Sequence, residues 1–222
     1  MRYLPVAKLY FRYGTMDSAK TLNLLAVAHN YRKQGKSCSL MKPRIDDRFG
    51  AEMIRSRSGL EAEADVVLGP GERLPVDRFV GQDCVLVDEA QFLEEHIIDA
   101  LRDLTIDHGV PVICYGLRTD FMRKLFPGSR RLLELADSIE EVKVTCFECG
   151  KKAVFTCVLP TDAASSPVLR CSSGPTRATS RCARTTTGCT SDGGTRNIRR
   201  RVSRLDRAEP RAHRPMARSA AR

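Results

Sequence analysis

The sequence predicts an α/β protein whose parallel β-sheet is covered by helices on both faces. Residues 84–87 and 110–115 are unbroken apolar runs, which is the pattern of strands buried on both sides. Helical patterns alternate with these runs along the chain, as connections between parallel strands require. A glycine-containing loop between the first strand and the first helix adds an element that binds phosphate in many such sheets.

The individual elements are predicted from the spacing of apolar residues. Residues 8–13 alternate and are rich in aromatic side chains, which favours a strand, and residues 19–34 carry apolar side chains at helical spacing. Further strands are predicted at residues 37–41, 64–68, 84–87 and 110–115, helices at residues 93–104 and 130–136, and two short strands flanking a Cys-x-x-Cys turn within residues 142–155. The polar stretch at residues 44–60 is expected to be mobile.

Charge divides the chain at about residue 160. The sequence has 37 Lys and Arg against 27 Asp and Glu, a net charge of +10. Residues 1–159 contain 23 basic and 23 acidic side chains, so the whole excess lies in residues 160–222, which hold 14 Arg and no Lys or aromatic residue. Such a segment buries too little apolar surface to offset its ordering entropy. We therefore expect a disordered tail that binds nucleic acid only non-specifically, through its arginines.

Composition argues against a membrane protein and against a secreted disulfide framework. The chain has no apolar run near the ~18 residues that span a bilayer, and no signal-peptide pattern at its start. Its nine cysteines are odd in number, and Cys38, Cys84 and Cys114 lie in apolar runs, where a thiol behaves as a small hydrophobe. These features predict a soluble cytoplasmic protein with no membrane partner.

The segment between the first strand and the first helix fits the phosphate-loop pattern G-x4-[GA]-K-[ST]. Its residues are Gly14, Thr15, Met16, Asp17, Ser18, Ala19, Lys20 and Thr21. Backbone N–H groups at the helix N-terminus would face the phosphates of ATP, Lys20 would neutralise them, and the Thr21 hydroxyl would bind Mg²⁺. Ala19 stands where glycine is usual, which costs roughly 1 kcal/mol if φ is positive there. The alternative is an ordinary strand-to-helix turn with a helical lysine.

Two adjacent carboxylates follow the apolar run at residues 84–87. Asp88 is placed to support the Mg²⁺ of a nucleotide complex, and Glu89 to take a proton from an attacking hydroxyl or water. Ala90 and Gln91 complete this predicted nucleotide-binding segment. The alternative is a helix N-terminus, which acidic residues favour. The phosphate loop argues for the functional interpretation, because ligands of parallel sheets bind at the carboxyl ends of the strands.

Cys146 and Cys149 form a Cys-x-x-Cys turn followed by glycine, which suits half of a tetrahedral Zn²⁺ site. The remaining ligands would have to come from Cys157, Cys171, Cys182, Cys189 or His213. No second Cys-x2-Cys or Cys-x2-His pair occurs among them. A structural or redox-exposed thiol pair is the alternative to a metal site.

Several motifs follow one another in a specific order. They are Leu-Tyr-Phe at residues 9–11 leading into the phosphate loop, Ile-Asp-Asp-Arg-Phe-Gly at 45–50, Ser-Arg-Ser-Gly-Leu at 56–60, Val-Leu-Val-Asp-Glu-Ala-Gln-Phe-Leu at 85–93, Cys-Tyr-Gly-Leu-Arg-Thr-Asp-Phe at 114–121, and the Cys-x-x-Cys segment at 146–152. Over about residues 3–155 this series resembles the type II thymidine kinase family, the cytosolic and bacterial kind.

The resemblance implies a fold and a reaction. It implies a RecA-like phosphate-loop kinase domain at residues 1–141 and a small zinc ribbon, incomplete in this chain, at residues 142–159, followed by the disordered Arg-rich tail at residues 160–222. Members of the family commonly form tetramers and transfer the γ-phosphoryl group of ATP to the 5′-hydroxyl of thymidine. ATP, thymidine, Mg²⁺ and a structural Zn²⁺ are the ligands that the resemblance implies.

The resemblance also implies roles for individual residues. Glu89 would be the general base, and Phe92, Phe121 and Phe126 match positions that line the thymine pocket, although core packing is an alternative for Phe126. Residues 44–60 match a flexible lid. In this lid, Arg48 and Arg57 are candidate phosphate contacts, and exposed, solvated arginines are the alternative.

The resemblance stops after about Phe155, where the family has a substrate-covering loop and a second pair of metal ligands. The genetic code allows a test of the reading frame. If the third base of each codon is taken as the first base of a new codon, the codons of residues 178–186 can encode Tyr-Val-Ala-Leu-Cys-Ala-His-Tyr-His. This restored pattern favours the hypothesis that the tail is a frameshifted replacement. The alternatives to an active kinase are a nucleic-acid-binding ATPase that uses the arginine-rich tail, and a catalytically dead remnant that only binds nucleotide.

Overall fold

A parallel β-sheet organises this computed structural model, which describes residues 7–46, 50, 52–146, 151–158 and 179–182. The described residues all belong to one compact unit, residues 1–184. The strands are β1 Leu9–Tyr13, β2 Cys38–Pro43, β3 Met53–Arg55, β4 Glu61–Glu63, β5 Val66–Leu68, β6 Cys84–Val87, β7 Val112–Gly116, β8 Ser138–Glu141, β9 Phe155–Val158 and β10 Thr179–Cys182. The helices are α1 Lys20–Lys33, α2 Glu95–Asp107 and α3 Pro127–Leu135, and single 3₁₀ turns occur at Val76–Arg78 and Ala90–Phe92.

The central sheet has six strands in the order β5-β2-β6-β7-β1-β8, and all neighbouring pairs are parallel. The carboxyl ends of β1, β6 and β7 therefore lie side by side at one edge. The phosphate loop follows β1, the Asp88-Glu89 pair follows β6, and Gly116 ends β7. The topology thus brings together segments that are far apart in the sequence.

Helices cover both faces of the sheet, as the apolar runs predict. Val85 and Val87 of β6 pack in the core cluster that contains apolar residues of α2 and α3. Cys84 and Leu86 of the same strand pack in the second cluster, which contains apolar residues of α1. The predicted α/β fold with a parallel sheet is confirmed. The three cysteines expected in the core, Cys38, Cys84 and Cys114, are buried.

Strand β3 lies within the polar stretch at residues 44–60, whose mobility stays a prediction. β3 and β4 form an antiparallel hairpin in which Met53 pairs with Glu63 and Arg55 with Glu61. Ile54 of β3 is buried against the α1 face of the sheet. The hairpin was not predicted because one buried isoleucine among polar residues gives almost no alternation.

β8 is also absent from the predicted elements. It joins the edge of the sheet beside β1, where Phe11 pairs with Ile139. Its sequence, Ser-Ile-Glu-Glu, lacks an apolar run because an edge strand is largely exposed, and Ile139 itself is 45% exposed.

The segment predicted as a partial zinc ribbon differs from expectation in its pairing. The turn between Thr145 and Lys152 is closed by an isolated antiparallel bridge, and β9 pairs with β10 from the predicted disordered tail. Thr179–Cys182 lie within the segment expected to be disordered, and the disorder of that segment stays a prediction. The rest of residues 160–222 lies outside the described residues.

In the part of the chain that the structure describes, no helix is long and apolar enough to cross a membrane.

Candidate active site

The phosphate loop leaves β1 and turns into α1 through two residues in the left-handed region. Asp17 has φ 61° and Ala19 has φ 61° and ψ 28°. Ala19 is the residue before the first helical turn, and its methyl group offers no hydrogen bond to cap that turn. The loop therefore enters the helix in the glycine-like conformation that the motif predicts, with alanine in the strained position.

Lys20 folds back into the loop. Its Nζ donates to the carbonyl oxygens of Thr15 at 2.8 Å and Gly14 at 3.4 Å, and to Ser18 Oγ at 3.3 Å, and the residue is only 9% exposed. Among the described residues, the buried Thr15 hydroxyl has no hydrogen-bond partner. A buried cation beside an unsatisfied hydroxyl is suited to an anion, because both groups can donate to its oxygens.

Asp88 meets the start of α1. Thr21 Oγ1 donates to Asp88 Oδ2 at 3.1 Å and lies 3.4 Å from Oδ1, and Asp88 is 5% exposed. Burial and, second, the neighbouring Glu89 charge raise the pKa of Asp88, the Thr21 hydrogen bond opposes both effects, and the net result is a pKa of about 7. The cost of ionising this buried carboxyl would be relieved by a cation.

The carboxylate of Glu89 is hydrogen-bonded by Gln91, two positions later in the chain. The backbone of Glu89 is left-handed, with φ 49°, where the chain leaves β6 and enters a 3₁₀ turn. Gln91 is 1% exposed, and its Nε2 donates to Glu89 Oε2 at 2.5 Å while its Oε1 accepts from the Leu117 N–H at 2.9 Å. Gln91 thus fixes the Glu89 carboxylate to the loop after β7.

The three predicted thymine-pocket phenylalanines do not all come together. Phe92 and Phe126 form an edge-to-face pair with ring centroids 5.6 Å apart. Phe121 lies in a turn closed by the Asp120 N–H, which donates to the Lys124 carbonyl at 2.9 Å. Among the described residues, Phe121 has no ring contact with the other two.

The hairpin reaches the phosphate loop through one of the two predicted arginines. Arg57 in the hairpin turn contacts the carboxylate of Asp17. Arg48 lies outside the described residues.

Two residues near the site were missed by sequence reasoning. Lys42, at the end of β2, is 1% exposed and lies against the hairpin, and a lysine that ends an apolar strand was the available signal. The Thr156 hydroxyl accepts a hydrogen bond from the Met16 N–H at 3.2 Å. No sequence pattern links Thr156 to a loop 140 residues earlier.

The predicted metal pair is only partly described. Cys146 is 4% exposed, and its N–H donates to the Lys151 carbonyl at 2.6 Å, while Cys149 lies outside the described residues. Within the described residues, no group of three or more His, Cys, Asp and Glu side chains is arranged to hold a metal ion. Zinc binding stays a prediction of the sequence.

Comparison with known proteins shows the family of the chain. A family model described as thymidine kinase matches residues 7–168. The chain belongs to the thymidine kinase family. The match begins just before β1 and extends past Phe155, where the motif-based resemblance ends.

Individual relatives agree with the family match. The thymidine kinase of Streptococcus gordonii is 43% identical over 163 residues, which cover 71% of this chain and 82% of the relative. That of Lactococcus lactis is 46% identical over 156 residues, covering 68% and 80%. Among solved structures, the Pif1 helicase of Candida albicans aligns over 61% of this chain and 36% of its own, with a TM-score of 0.37 and 12% identity. Membership of the thymidine kinase family therefore stands on sequence.

Proposed function

We propose that this chain transfers the γ-phosphoryl group of ATP to the 5′-hydroxyl of thymidine, giving dTMP. The observation that carries the proposal is the meeting of the phosphate loop with the Asp88-Glu89 pair, through the hydrogen bond from Thr21 to Asp88. The family membership supplies the substrates, and this contact puts the two chemical elements of a phosphoryl transferase at one edge of the sheet.

The phosphate loop would bind the ATP phosphates. The Lys20 ammonium, already held inside the loop by the Gly14 and Thr15 carbonyls, would exchange these contacts for phosphate oxygens. The backbone N–H groups in the first turn of α1 point out of the N-terminus of the helix, and the helix dipole favours negative charge there. The Thr15 hydroxyl would gain the partner that it lacks among the described residues.

A magnesium ion fits the Thr21-Asp88 pair by donor chemistry. A hydroxyl and a carboxylate are hard oxygen ligands of the kind that Mg²⁺ prefers, and the buried Asp88 carboxyl favours a nearby cation when it ionises. Bound there, Mg²⁺ would neutralise charge on the phosphates during transfer.

Glu89 would act as the general base. As the oxygen of the thymidine 5′-hydroxyl attacks the γ-phosphorus, its proton would pass to the Glu89 carboxylate while the bond to the β-phosphate oxygen breaks. Gln91 would keep the carboxylate in position through its 2.5 Å hydrogen bond. The Phe92-Phe126 pair would supply an apolar wall for the base, and Phe121 would join them if its turn moved.

The test is formation of dTMP by the full 222-residue chain from thymidine, ATP and Mg²⁺, followed by chromatography. Glu89→Gln should lower kcat by about 10²–10⁴-fold with ATP affinity nearly unchanged, as loss of a general base predicts. Lys20→Met should weaken ATP binding. Glu95→Gln on α2 and Lys33→Met at the end of α1 remove the same charges at exposed positions and serve as matched controls.

Three results would argue against the proposal. Wild-type turnover in Glu89→Gln would remove this residue from the mechanism. Intact ATP binding without any dTMP would identify a nucleotide-binding remnant, and loss of nucleic-acid binding after truncation at Leu159, if ATP binding survived, would favour the tail-dependent ATPase.

The proposal extends to the C-terminal segment, to zinc and to assembly. Residues 169–222 lie outside the family match, in agreement with a frameshifted replacement of the family's final segment. Reading the coding nucleotides tests this, since a single-base change must reopen a frame with Tyr-x-x-Leu-Cys. Zinc content and light scattering of the same sample test the Cys146-Cys149 site and the tetramer that the family implies.

A further inference from the structure

Lys42 is a buried lysine that the proposed chemistry does not use. It lies near the end of β2 and is 1% exposed. Burial of an unpaired ammonium costs several kcal/mol, so a lysine in this position must be compensated by polar partners. Its Nζ donates to the Met53 carbonyl at 3.0 Å and to the Gly50 carbonyl at 3.4 Å, and lies 3.4 Å from Asp46 Oδ2.

These partners connect the central sheet to the β3–β4 hairpin. Met53 is the first residue of β3, so the lysine holds the hairpin at its base. Each strand of the hairpin has only three residues, and an isolated two-stranded pair of that length is at best marginally stable. Apart from Ile54, which packs against the α1 face, the hairpin has few apolar anchors. The chain after β4 is fixed to the central sheet by the Asp65 N–H, which donates to the Leu40 carbonyl at 2.8 Å, and the Lys42 hydrogen bonds attach the other strand, at the start of β3.

The other end of the hairpin lies at the phosphate loop. The Ser56 N–H donates to the Leu60 carbonyl at 2.8 Å and closes the turn that carries Arg57. Arg57 contacts the carboxylate of Asp17, which would otherwise put negative charge inside a loop built for phosphates. The position of the hairpin thus determines whether this carboxylate is neutralised.

Lys42 also lies beside the carboxylates of the site. β2 and β6 are neighbours in register, with Met41 opposite Val87, and the Asp88 N–H donates to the Met41 carbonyl at 2.9 Å. Lys42 therefore occupies the position next to Asp88 on the adjoining strand. Asp46 is close enough to add to the negative field at Asp88, and the Lys42 ammonium offsets that charge.

We propose that Lys42 is a positioning residue that anchors the β3–β4 hairpin to the carboxyl end of β2 and thereby holds Arg57 at the phosphate loop. The link to ATP rests on the proposed function, whereas the anchoring itself does not. Lys42 would affect the affinity for ATP more than the chemical step, because it acts on the phosphate loop through Arg57 and makes no contact with Glu89 among the described contacts.

The test is hydrogen exchange, followed by mass spectrometry, of the full-length Lys42→Met variant without nucleotide. Exchange in peptides that cover residues 52–64 should accelerate by about tenfold or more, because two hydrogen bonds to a charged group are lost. Exchange in β6 and β7 should stay at the wild-type rate. Lys33→Met, an exposed lysine of α1, is the matched control and should leave the hairpin unchanged.

A second variant separates anchoring from the cost of a buried charge. Lys42→Met leaves the Asp46 carboxylate without its lysine, and the double variant Lys42→Met/Asp46→Asn removes that charge. If Lys42 anchors the hairpin, the double variant should regain thermal stability but keep the fast exchange at residues 52–64. Wild-type exchange of the hairpin in either variant, or an equal rise in every peptide of both, would overturn the proposal.

ATP affinity, measured on the same variants, distinguishes this proposal from the proposed function. We expect Lys42→Met to weaken ATP binding by about tenfold, with kcat for thymidine altered less. A wild-type chain that makes no dTMP would refute the kinase assignment and leave the exchange experiment valid. Fast hairpin exchange with unchanged ATP affinity would overturn the link between Lys42 and the phosphate loop.

Discussion

The Thr21 hydroxyl donates to the Asp88 carboxylate at 3.1 Å, joining the first turn of α1 to the end of β6 across 67 residues of sequence. Each residue belongs to a motif that was recognised separately. Their contact follows from the parallel topology, since β1 and β6 both flank β7 and end at the same edge of the sheet. It is the physical basis for assigning both motifs to one site.

Asp88→Asn should stabilise the metal-free protein and impair its activity. Burial and, second, the Glu89 charge raise the pKa of Asp88 to about 7, so ionisation of this carboxyl destabilises the folded state. The folded state binds the proton more tightly than the unfolded state. The wild-type protein therefore loses stability as pH rises from about 4 to 7, while the neutral amide does not.

The measurement for Asp88→Asn is urea unfolding in EDTA at pH 8 and pH 5. The variant should gain about 1 kcal/mol or more at pH 8 and less at pH 5, and thymidine phosphorylation should fall by about 10–100-fold or more. Asp83→Asn, at the other end of β6, is the control and should keep activity. A variant less stable than wild type at pH 8 would contradict this account.

Ala19→Gly should raise the free energy of unfolding by roughly 0.5–1 kcal/mol, because Ala19 has φ 61° and glycine adopts that conformation without strain. The same change at Ala26, an exposed position inside α1, should lower the stability by about the same amount. Chemical denaturation of both variants measures the difference. If both were destabilised, the left-handed conformation of Ala19 would not be a source of strain.

Much of the central sheet could be predicted because its strands are buried on both faces and read as apolar runs. β8 could not, since Ile139 is its one apolar residue and its partner Phe11 is 128 positions away. The pairing of β10 with β9 could not be predicted either, because composition does not show which segments pair.

The candidate site was predictable where function requires a specific residue type at a specific spacing. The phosphate loop and the Asp88-Glu89 pair meet that condition. Lys42 and Thr156 do not, because their hydrogen-bond partners in the hairpin and the phosphate loop are backbone groups, and any residue can supply a carbonyl or an N–H. Phe92 and Phe126 were predicted through the resemblance, and their contact depends on how α3 packs.

Gly128→Ala should destabilise the protein and weaken thymidine binding. A Cβ at Gly128 would lie 2.6 Å from the carbonyl oxygens of both Ala90 and Leu93, so α3 would have to move away from the 3₁₀ turn. Phe126, two residues earlier, would then move relative to Phe92. In an unobstructed helix the same substitution would stabilise by about 0.5–1 kcal/mol, whereas the clash should cost about 1–3 kcal/mol.

Thermal unfolding and the KM for thymidine measure the effect of Gly128→Ala. The KM should rise, with ATP affinity near that of wild type. Arg130→Ala is the control in the same helix, because it removes only an exposed ion pair with Glu95. Increased stability in Gly128→Ala would show that α3 does not pack this closely.

Asp137→Asn should remove a contribution to stability that the wild-type protein has at neutral pH and loses in acid. Burial alone would raise the pKa of Asp137, but the contact with Arg102 and the 2.8 Å hydrogen bond from the Leu9 N–H outweigh it, and the pKa is lowered. The folded state therefore favours the ionised form, and the stabilisation is complete above the usual Asp pKa of about 4 and is lost as pH falls through the lowered value.

Urea unfolding should show the variant to be about 1–2 kcal/mol less stable at pH 7, with the difference shrinking below about pH 4. Asp99→Asn, from a more exposed pair with Arg131, should show a smaller loss at pH 7, and an Asp137 effect that does not change with pH would contradict the role of its charge.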